Sequence, residues 1–412
     1  MAAPTRILPD LIESWIAYMD GLPTNKLFAE WAAVFHVSAA LTRRVWVRTS
    51  EGMPPTYPNL YVALVGPPGS GKDIAINPVA KLLREASVGA PDGHGFYIGE
   101  ESLSPKGLID SIASSDSICS YTIQKGSVQE VVKFQSLIGC VPELGTLIPE
   151  YNIQFISSLN ELYNCKPHYK DRIRGALVEV MNPHIALFLG TQPETMVKVF
   201  PESAFKMGFT SRMILVHANA PTIQNLFRDL DAPPLNKDRL WNNIRSDIRS
   251  LPLVSGEMTV APEAQRALNH FHVKQAAETA VPTSKYTDYN VRRSLHLLKL
   301  SMIMTLSRHS VLNIELRDVE RAQALLFKTE ALMPKIFANL VTDRGFHASV
   351  EEVINGNEKT ISHQQLIARL RRRHPPNEIR QVIASMKEAG NLHEAGTGNG
   401  GFPIYTIRGD YD

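Results

Sequence analysis

The chain has 412 residues, more than one ordinary domain usually holds, and its length suits two or three domains. Hydrophobic residues make up 44% of it and charged residues 20%, a composition typical of globular proteins. The net charge of +2 excludes a chain that is basic throughout, so any binding of nucleic acid must depend on local clusters.

No apolar run reaches the roughly 18 residues of a membrane span, and the first residues lack the pattern of a signal peptide. We therefore expect a cytoplasmic protein without a membrane partner. The cysteines are odd in number and widely spaced, which favours buried free thiols over a disulfide framework or a zinc site. They are Cys119, Cys140 and Cys165.

The first region, residues 1–55, is predicted to be helical. Residues 27–41 form one Ala-rich apolar segment, and residues 43–48 then favour a short strand with charged ends. An earlier apolar stripe at helical spacing consists of Leu11, Trp15, Ile16 and Met19.

The second region, residues 56–221, alternates apolar strands with helices, which predicts an α/β core with a parallel sheet. Four continuous apolar runs are typical of buried parallel strands. They span residues 60–65, 137–141, 185–189 and 213–216.

Two further regions complete the chain. Residues 222–344 have helical periodicity, clearest at 289–307, and are predicted to form a helical lid. Residues 345–412 combine three predicted helices with a hairpin around a Gly-rich turn, and this order is typical of a winged helix. The three helices span residues 349–354, 362–371 and 376–389.

The most specific motif follows the first buried strand and precedes a predicted helix at 74–83. In this context the backbone N–H groups of a glycine-rich loop cradle phosphate, and a lysine reaches the β and γ oxygens. A Gly/Pro turn with an incidental lysine explains the flanking strand and helix less well. The residues expected to contact ATP are Gly66, Pro67, Pro68, Gly69, Ser70, Gly71, Lys72 and Asp73.

The two positions that normally serve Mg²⁺ both depart from the usual pattern. Asp73 stands where a Ser or Thr is expected, and Pro142-Glu143 replaces an Asp-Glu pair. Because Mg²⁺ often takes one or two carboxylates along with substrate phosphates, we hypothesise that Asp73 and Glu143 face the metal. Alternatively, Asp73 only favours the helix N-terminus, or both changes weaken the ATPase.

Other candidates surround this motif. Glu143 is predicted to activate the hydrolytic water, although it could be an ordinary loop glutamate. Thr191 and Gln192 follow a buried strand, where ligands of α/β sheets bind, or they only mark a strand-to-turn transition. Arg212 precedes the last apolar strand and could stabilise transition-state charge in a neighbouring subunit. With Lys72, the predicted catalytic set is Lys72, Glu143 and Arg212.

This order of motifs resembles AAA+ P-loop ATPases. Ser211-Arg212 before an apolar strand looks like the arginine-finger segment of minichromosome-maintenance-type helicases, and residues 291–301 look like their sensor-2 helix. The resemblance implies that Arg292, with Arg293 as the reserve choice, reaches the γ-phosphate of ATP. Segments 57–62 and 190–194 are also similar to phage- and plasmid-encoded replication ATPases (primase-helicase-like), which implies host cytoplasm for a phage-encoded chain.

Two basic clusters are candidates for DNA contact. One precedes an alternating run that predicts a hairpin, and by resemblance to ring helicases it would grip single-stranded DNA in a pore, unless it is a solvated loop. The other lies on the second and third helices of the winged helix, which could instead bind protein. The residues are Lys166, Lys170, Arg172 and Arg174 in the first cluster, and Arg371, Arg372, Arg373 and Arg380 in the second.

The leading hypothesis is an ATP- and Mg²⁺-dependent motor. A homo-oligomeric ring, expected to be a hexamer, would hydrolyse ATP between subunits and move along single-stranded or forked DNA as a replicative helicase. The competing hypothesis is a replication initiator or helicase loader that binds DNA and other replication proteins without processive unwinding. A defence or packaging ATPase is a third, less favoured class.

Overall fold

The computed structural model describes most of the chain, in two compact units that span Met1–Pro334 and Lys335–Asp412. The three regions expected before residue 345 therefore fold as one unit. None of the helices described is long and apolar enough to cross a membrane. The described residues are 6–88, 90, 94–100, 103–125, 127–150, 152–173, 176–200, 208–218, 236–277, 280–281, 286–338, 350, 352–354, 360–371, 376–388, 392–397 and 402–407.

The larger unit mixes helices and strands. Its strands are β1 (Val45–Trp46), β2 (Tyr61–Val65), β3 (Ile118–Lys125), β4 (Val128–Val141), β5 (His168–Ile173), β6 (Ala176–Met181), β7 (His184–Thr191), β8 (Met213–His217), β9 (Gly256–Glu257), β10 (Thr259–Val260) and β11 (Asn313–Ile314). Its helices are α1 (Leu11–Met19), α2 (Lys26–Leu41), α3 (Lys72–Ser87), α4 (Pro105–Ala113), α5 (Leu144–Leu147), α6 (Ile153–Tyr163), α7 (Pro193–Val199), α8 (Lys237–Ser250), α9 (Pro262–Ala277), α10 (Thr287–Arg308) and α11 (Leu316–Glu330).

A five-stranded sheet in the order β3-β4-β7-β2-β8 forms the centre of this unit. β4, β7, β2 and β8 run parallel to one another, whereas β3 pairs antiparallel with β4. The four apolar runs of the sequence are these parallel strands, and their residues are buried because helices cover both faces of such a sheet. The expected α/β core with a parallel sheet is confirmed.

β4 is longer than the apolar run at 137–141 predicts. Its first residues pair with β3 in a hairpin whose register runs from Ile118↔Gln135 to Lys125↔Val128. Val128 and Val131 in this part are more than 60% exposed. The hairpin lacks a continuous apolar run because only one of its faces is buried.

The N-terminal helices belong to the core of the larger unit. The ring of Phe35 on α2 stacks on Phe188 of β7 at 4.8 Å between centroids. Trp31, also on α2, donates from Nε1 to the Thr329 hydroxyl of α11 at 2.9 Å. α2 is thus in contact both with the sheet and with a helix of the expected lid.

β5 and β6 form the hairpin that the basic segment predicts. They pair antiparallel from His168↔Met181 to Ile173↔Ala176 and lie directly before β7. The three cysteines are buried free thiols, as expected.

The smaller unit has its own helices and a three-stranded sheet. Helix α12 (Pro334–Ala338) spans the boundary, and α13 (His363–Leu370) and α14 (Pro376–Glu388) follow it. Three strands, β12 (Thr360–Ser362), β13 (Leu392–Thr397) and β14 (Pro403–Ile407), form an antiparallel sheet in the order β12-β14-β13. The predicted helices at 362–371 and 376–389 and the predicted hairpin are therefore present, and β12 is an addition.

Candidate functional site

The glycine-rich loop connects β2 to α3 and is held on two sides. The Gly66 N–H donates to the Thr191 carbonyl at 3.2 Å, so the loop is joined to β7. Gly71 has a φ of +79°, and a Cβ atom there would lie 2.6 Å from Thr24 Cα. The Thr24 hydroxyl donates to the Gly71 carbonyl at 2.8 Å. The connection between α1 and α2 is therefore one wall of the loop.

Lys72 is the first residue of α3 and is only 8% exposed. Its Nζ atom donates to the carbonyls of Gly66 and Pro67 at 2.8 and 3.0 Å. Burial lowers the pKa of Lys72, and three nearby carboxylates oppose that shift. These carboxylates belong to Asp73, Glu143 and Glu194.

The structure thus brings the predicted acidic residues Asp73 and Glu143 to the lysine of the loop. Asp73 is exposed in the first turn of α3, and Glu143 is exposed at the N-cap of α5. Both offer only oxygen atoms, which suits Mg²⁺. Among the described residues no three Asp, Glu, His or Cys side chains could hold a metal by themselves.

Thr191 and Gln192 lie at the same edge of the sheet. Thr191 ends β7, is buried and pairs with Val65 at the end of β2. Its hydroxyl donates to the Gln192 carbonyl at 3.3 Å. Gln192 is half-buried at the N-cap of α7.

Glu194 was not predicted from the sequence. It lies in the first turn of α7, next to Pro193, and is exposed. Its signal was its position shortly after Thr191, since a residue that follows a parallel strand so closely lies at the edge where ligands bind.

Arg212 lies at the opposite end of the sheet. It precedes Met213, which pairs with Tyr61, the first residue of β2. The five residues of β2, at about 3.3 Å each, separate this end from the loop by roughly 16 Å. The Arg212 Nη1 atom donates to the Gly208 carbonyl at 2.6 Å. Arg212 is therefore remote from the Lys72 of its own chain.

Arg292 on α10 lies beside Arg212. Burial, and then the positive charge of Arg292, lower the pKa of Arg212. Arg292 itself is half-buried. The two arginines expected to contact a γ-phosphate thus share one location, away from their own glycine-rich loop.

Arg293 has a different environment from its neighbour. It is 5% exposed and forms a two-point ion pair with Glu330 of α11, with both N–O distances at 2.7 Å. The Tyr289 hydroxyl donates to the same carboxylate at 3.1 Å. The Arg293 guanidinium, expected as the reserve choice for the γ-phosphate, is therefore already paired within its own chain.

A buried lysine adjoins the two arginines and was missed in the sequence. Lys299 on α10 is 3% exposed, and its Nζ atom lies 3.9 Å from the centroid of the Tyr163 ring. Burial lowers its pKa to about 7; Arg292 and Arg212 act in the same direction, and Cys165 opposes the shift. Lys299 follows Arg292 by two helical turns, a spacing that places both on one face of α10. We call Arg212, Arg292 and Lys299 the cationic end.

The predicted DNA-contacting residues are described only in part. Lys166 is exposed, and Lys170 on β5 pairs with Glu179 at 2.9 Å. Arg172 lies on β5. Arg371 and Arg380 are exposed on the smaller unit. Three of the predicted positions, Arg174, Arg372 and Arg373, lie outside the described residues.

No model of a known protein family matches the chain, and no curated protein shows a significant match to it.

Proposed function

We propose that the chain is an AAA+-type ATPase that works as a nucleic-acid motor, in a ring whose subunits associate head to tail. One observation carries the proposal. Lys72 lies in a glycine-rich loop at one end of β2, and the arginine pair lies at the other end. A nucleotide in the loop could then meet these arginines only from a second copy of the chain.

In this proposal the triphosphate of ATP binds the backbone N–H groups of the loop and the Lys72 ammonium. Asp73 and Glu143 would face Mg²⁺, which supplies positive charge to the phosphate oxygens when bound. The exposed Glu143 carboxylate would orient the attacking water and accept its proton. Thr191, which ends the strand next to the loop, and Gln192, which follows it, would contact the γ-phosphate.

Charge complementarity supports the head-to-tail arrangement. The carboxylates of Asp73, Glu143 and Glu194 lie near Lys72 of the loop, whereas Arg212 and Arg292 lie at the opposite end of the sheet. Unlike faces of this kind form heterologous contacts, which close into rings when the rotation between copies permits. Arg212 and Arg292 would then stabilise the transition-state charge in the neighbouring site.

The order of strands also supports the proposed nucleotide site. β7 lies between the loop strand β2 and the acidic strand β4. On the far side of β4, Tyr97 and Gly99 make backbone hydrogen bonds of 2.9 Å to Ile138. The end of β7 therefore lies between the glycine-rich loop that follows β2 and Glu143, which follows β4.

Two further features support nucleic acid as the polymer along which the motor would move. The β5–β6 hairpin precedes β7; Lys170 is exposed on it, and Lys166 is exposed just before it. In the smaller unit, α13, α14 and the β13–β14 hairpin follow one another in the order of a winged helix. Arg380 is exposed on α14, which would be the recognition helix if this unit docks like a helix-turn-helix.

The test is strand displacement on forked DNA, with ATPase measured in the presence and absence of single-stranded DNA. We expect DNA to stimulate hydrolysis and both Lys72→Ala and Arg212→Ala to be inactive. Mixing the two inactive variants should restore activity, because some interfaces would then combine an intact loop with an intact arginine. A wild-type chain that neither binds nor hydrolyses ATP would refute the proposal.

A replication initiator or helicase loader is the second candidate. It is favoured by the smaller unit, which folds around its own core of residues such as Leu366, Ile379 and Tyr405 and could bind duplex DNA by itself. Removal of residues 345–412 should then abolish duplex binding. A loader would bind DNA in an ATP-dependent manner but would displace no strand, whereas the motor would displace it.

A further inference from the structure

We propose that Glu194 is a third functional carboxylate of the nucleotide site and that it faces the metal in place of the aspartate missing at Pro142. The inference rests on the proposed function, because it concerns a residue of the same ATP site. The proposed function gives Glu143 two tasks, facing Mg²⁺ and orienting water, and Glu194 would take over the first of them.

Strand order places Glu194 close to the loop. β7 is the immediate neighbour of β2, whereas β4, which leads to Glu143, is one strand further away. Neighbouring strands lie about 4.8 Å apart. The end of β7 is also bonded to the start of the loop through Thr191 and Gly66. Glu194 follows at once, in the first turn of α7.

Pro142, which stands where an aspartate is usual, and Glu194 lie on segments that pack against each other. A Cβ atom on Gly190 would overlap the Pro142 carbonyl, so β7 approaches the end of β4 closely at this point. Beyond the strands, the Cβ position of Gly145 on α5 lies 3.6 Å from Thr195 Cγ2 on α7. The helix that carries Glu194 therefore packs beside the residues that follow Pro142.

The charges at the loop agree with this assignment. Glu194 is one of three carboxylates close enough to Lys72 to stabilise its ammonium form. Lys72 is buried, and its Nζ atom already binds the carbonyls of Gly66 and Pro67. A triphosphate entering beside three carboxylates and one lysine needs further positive charge. A divalent cation bound through one or two carboxylates and phosphate oxygens would supply it.

The three carboxylates then have separate roles. Asp73 faces the metal from the loop side, where a Ser or Thr usually stands. Glu194 faces it from the β7 side and replaces the acid that Pro142 lacks. Glu143, one strand further from the loop, remains free to orient water.

The experiment measures Mg²⁺-dependent binding of a fluorescent, non-hydrolysable ATP analogue to full-length Glu194→Gln. We expect half-maximal binding to require about tenfold more Mg²⁺ than in the wild type, the scale seen when groups around a metal site are lost. With EDTA the variant should bind the analogue as tightly as the wild type or more tightly, because one repelling charge is gone. Glu161→Gln, at an exposed position on α6, is the matched control.

The outcomes distinguish a failure of the Glu194 assignment from a failure of the proposed function. An unchanged Mg²⁺ midpoint in Glu194→Gln would overturn the inference and leave the proposed function intact. Equal losses of affinity with Mg²⁺ and with EDTA would also overturn it, because they indicate damage to the fold. A wild-type chain that does not bind the analogue would refute the proposed function instead.

Discussion

The Nζ atom of Lys299 donates to both oxygens of Asn59, at 2.9 Å to the carbonyl and 2.8 Å to the side-chain amide. Asn59 lies just before β2, so this contact joins α10 to the strand that carries the glycine-rich loop. The Asn59 side chain in turn donates to the Tyr163 carbonyl at 2.9 Å. Lys299 is thus a buried amine whose hydrogen-bond partners are neutral.

This environment predicts a pH dependence of stability. Burial lowers the pKa of Lys299 from its usual 10.5 to about 7, so between these values the unfolded chain binds more protons than the folded chain. The free energy of unfolding should therefore rise from pH 7 to pH 9, by up to about 1.4 kcal/mol per pH unit from this group. Urea titrations of the wild type and Lys299→Met should show a flatter dependence in the variant. Equal slopes would contradict the prediction.

Substitutions of the two neighbouring arginines of α10 should have different effects, one on stability and the other on ATP turnover. Arg293→Ala leaves the Glu330 carboxylate buried without its partner and should lower the free energy of unfolding by about 3–5 kcal/mol. Arg292→Ala should leave stability nearly unchanged and reduce ATP turnover about 10³-fold or more if it contacts a neighbour's nucleotide. Urea denaturation and steady-state ATPase assays check both. A destabilised Arg292→Ala with normal turnover would reverse the assignment.

Gly71 should tolerate no side chain. Its φ of +79° disfavours other residues, and a Cβ atom there would also meet the backbone of Pro23 and Thr24. Gly52 is the matched control, since its φ is +76° and nothing lies within 4 Å of its Cβ position. Gly52→Ala should cost about 1–2 kcal/mol from backbone strain alone. Gly71→Ala should cost more and weaken nucleotide binding, as measured by denaturation and analogue titration. Similar losses in both variants would argue against the close contact.

Asp73→Ser tests whether a carboxylate has taken over a hydroxyl's position. If Asp73 faces the metal, the variant should need about tenfold more Mg²⁺ for half-maximal ATPase and should turn over more slowly. Asp110→Ser, at an exposed position on α4, is the control. Unchanged metal affinity and turnover in Asp73→Ser would restrict this residue to stabilising the N-terminus of α3.

The strands of the sheet and the loop were predictable because each depends on residues close together in the chain. Continuous apolar runs specify buried parallel strands, and the run at 60–65 followed by glycines also locates the loop. The hairpin of β3 and β4 was not predictable in this way, because its packed residues, such as Val132 and Phe134, alternate with exposed ones, such as Val131, instead of forming a continuous apolar run.

Contacts between residues that are far apart in the chain could not be predicted from the sequence. Arg292 and Arg293 are adjacent, and residues on other helices, Glu330 and Phe271 among them, distinguish the buried arginine from the half-buried one. Lys299 was overlooked because a lysine within an apolar helix is ordinarily exposed along its polar face. Its partner Asn59 lies in a different part of the chain.

The position of the loop and the cationic end at opposite ends of β2 has a consequence for how the proposed motor would respond to dilution. A single copy holds only half of each site, and an open row of copies always leaves one nucleotide without arginines. Every site is complete only in a closed ring. Turnover per chain should therefore rise with protein concentration, and each Arg212→Ala subunit in a ring should silence one site, the one that belongs to its neighbour.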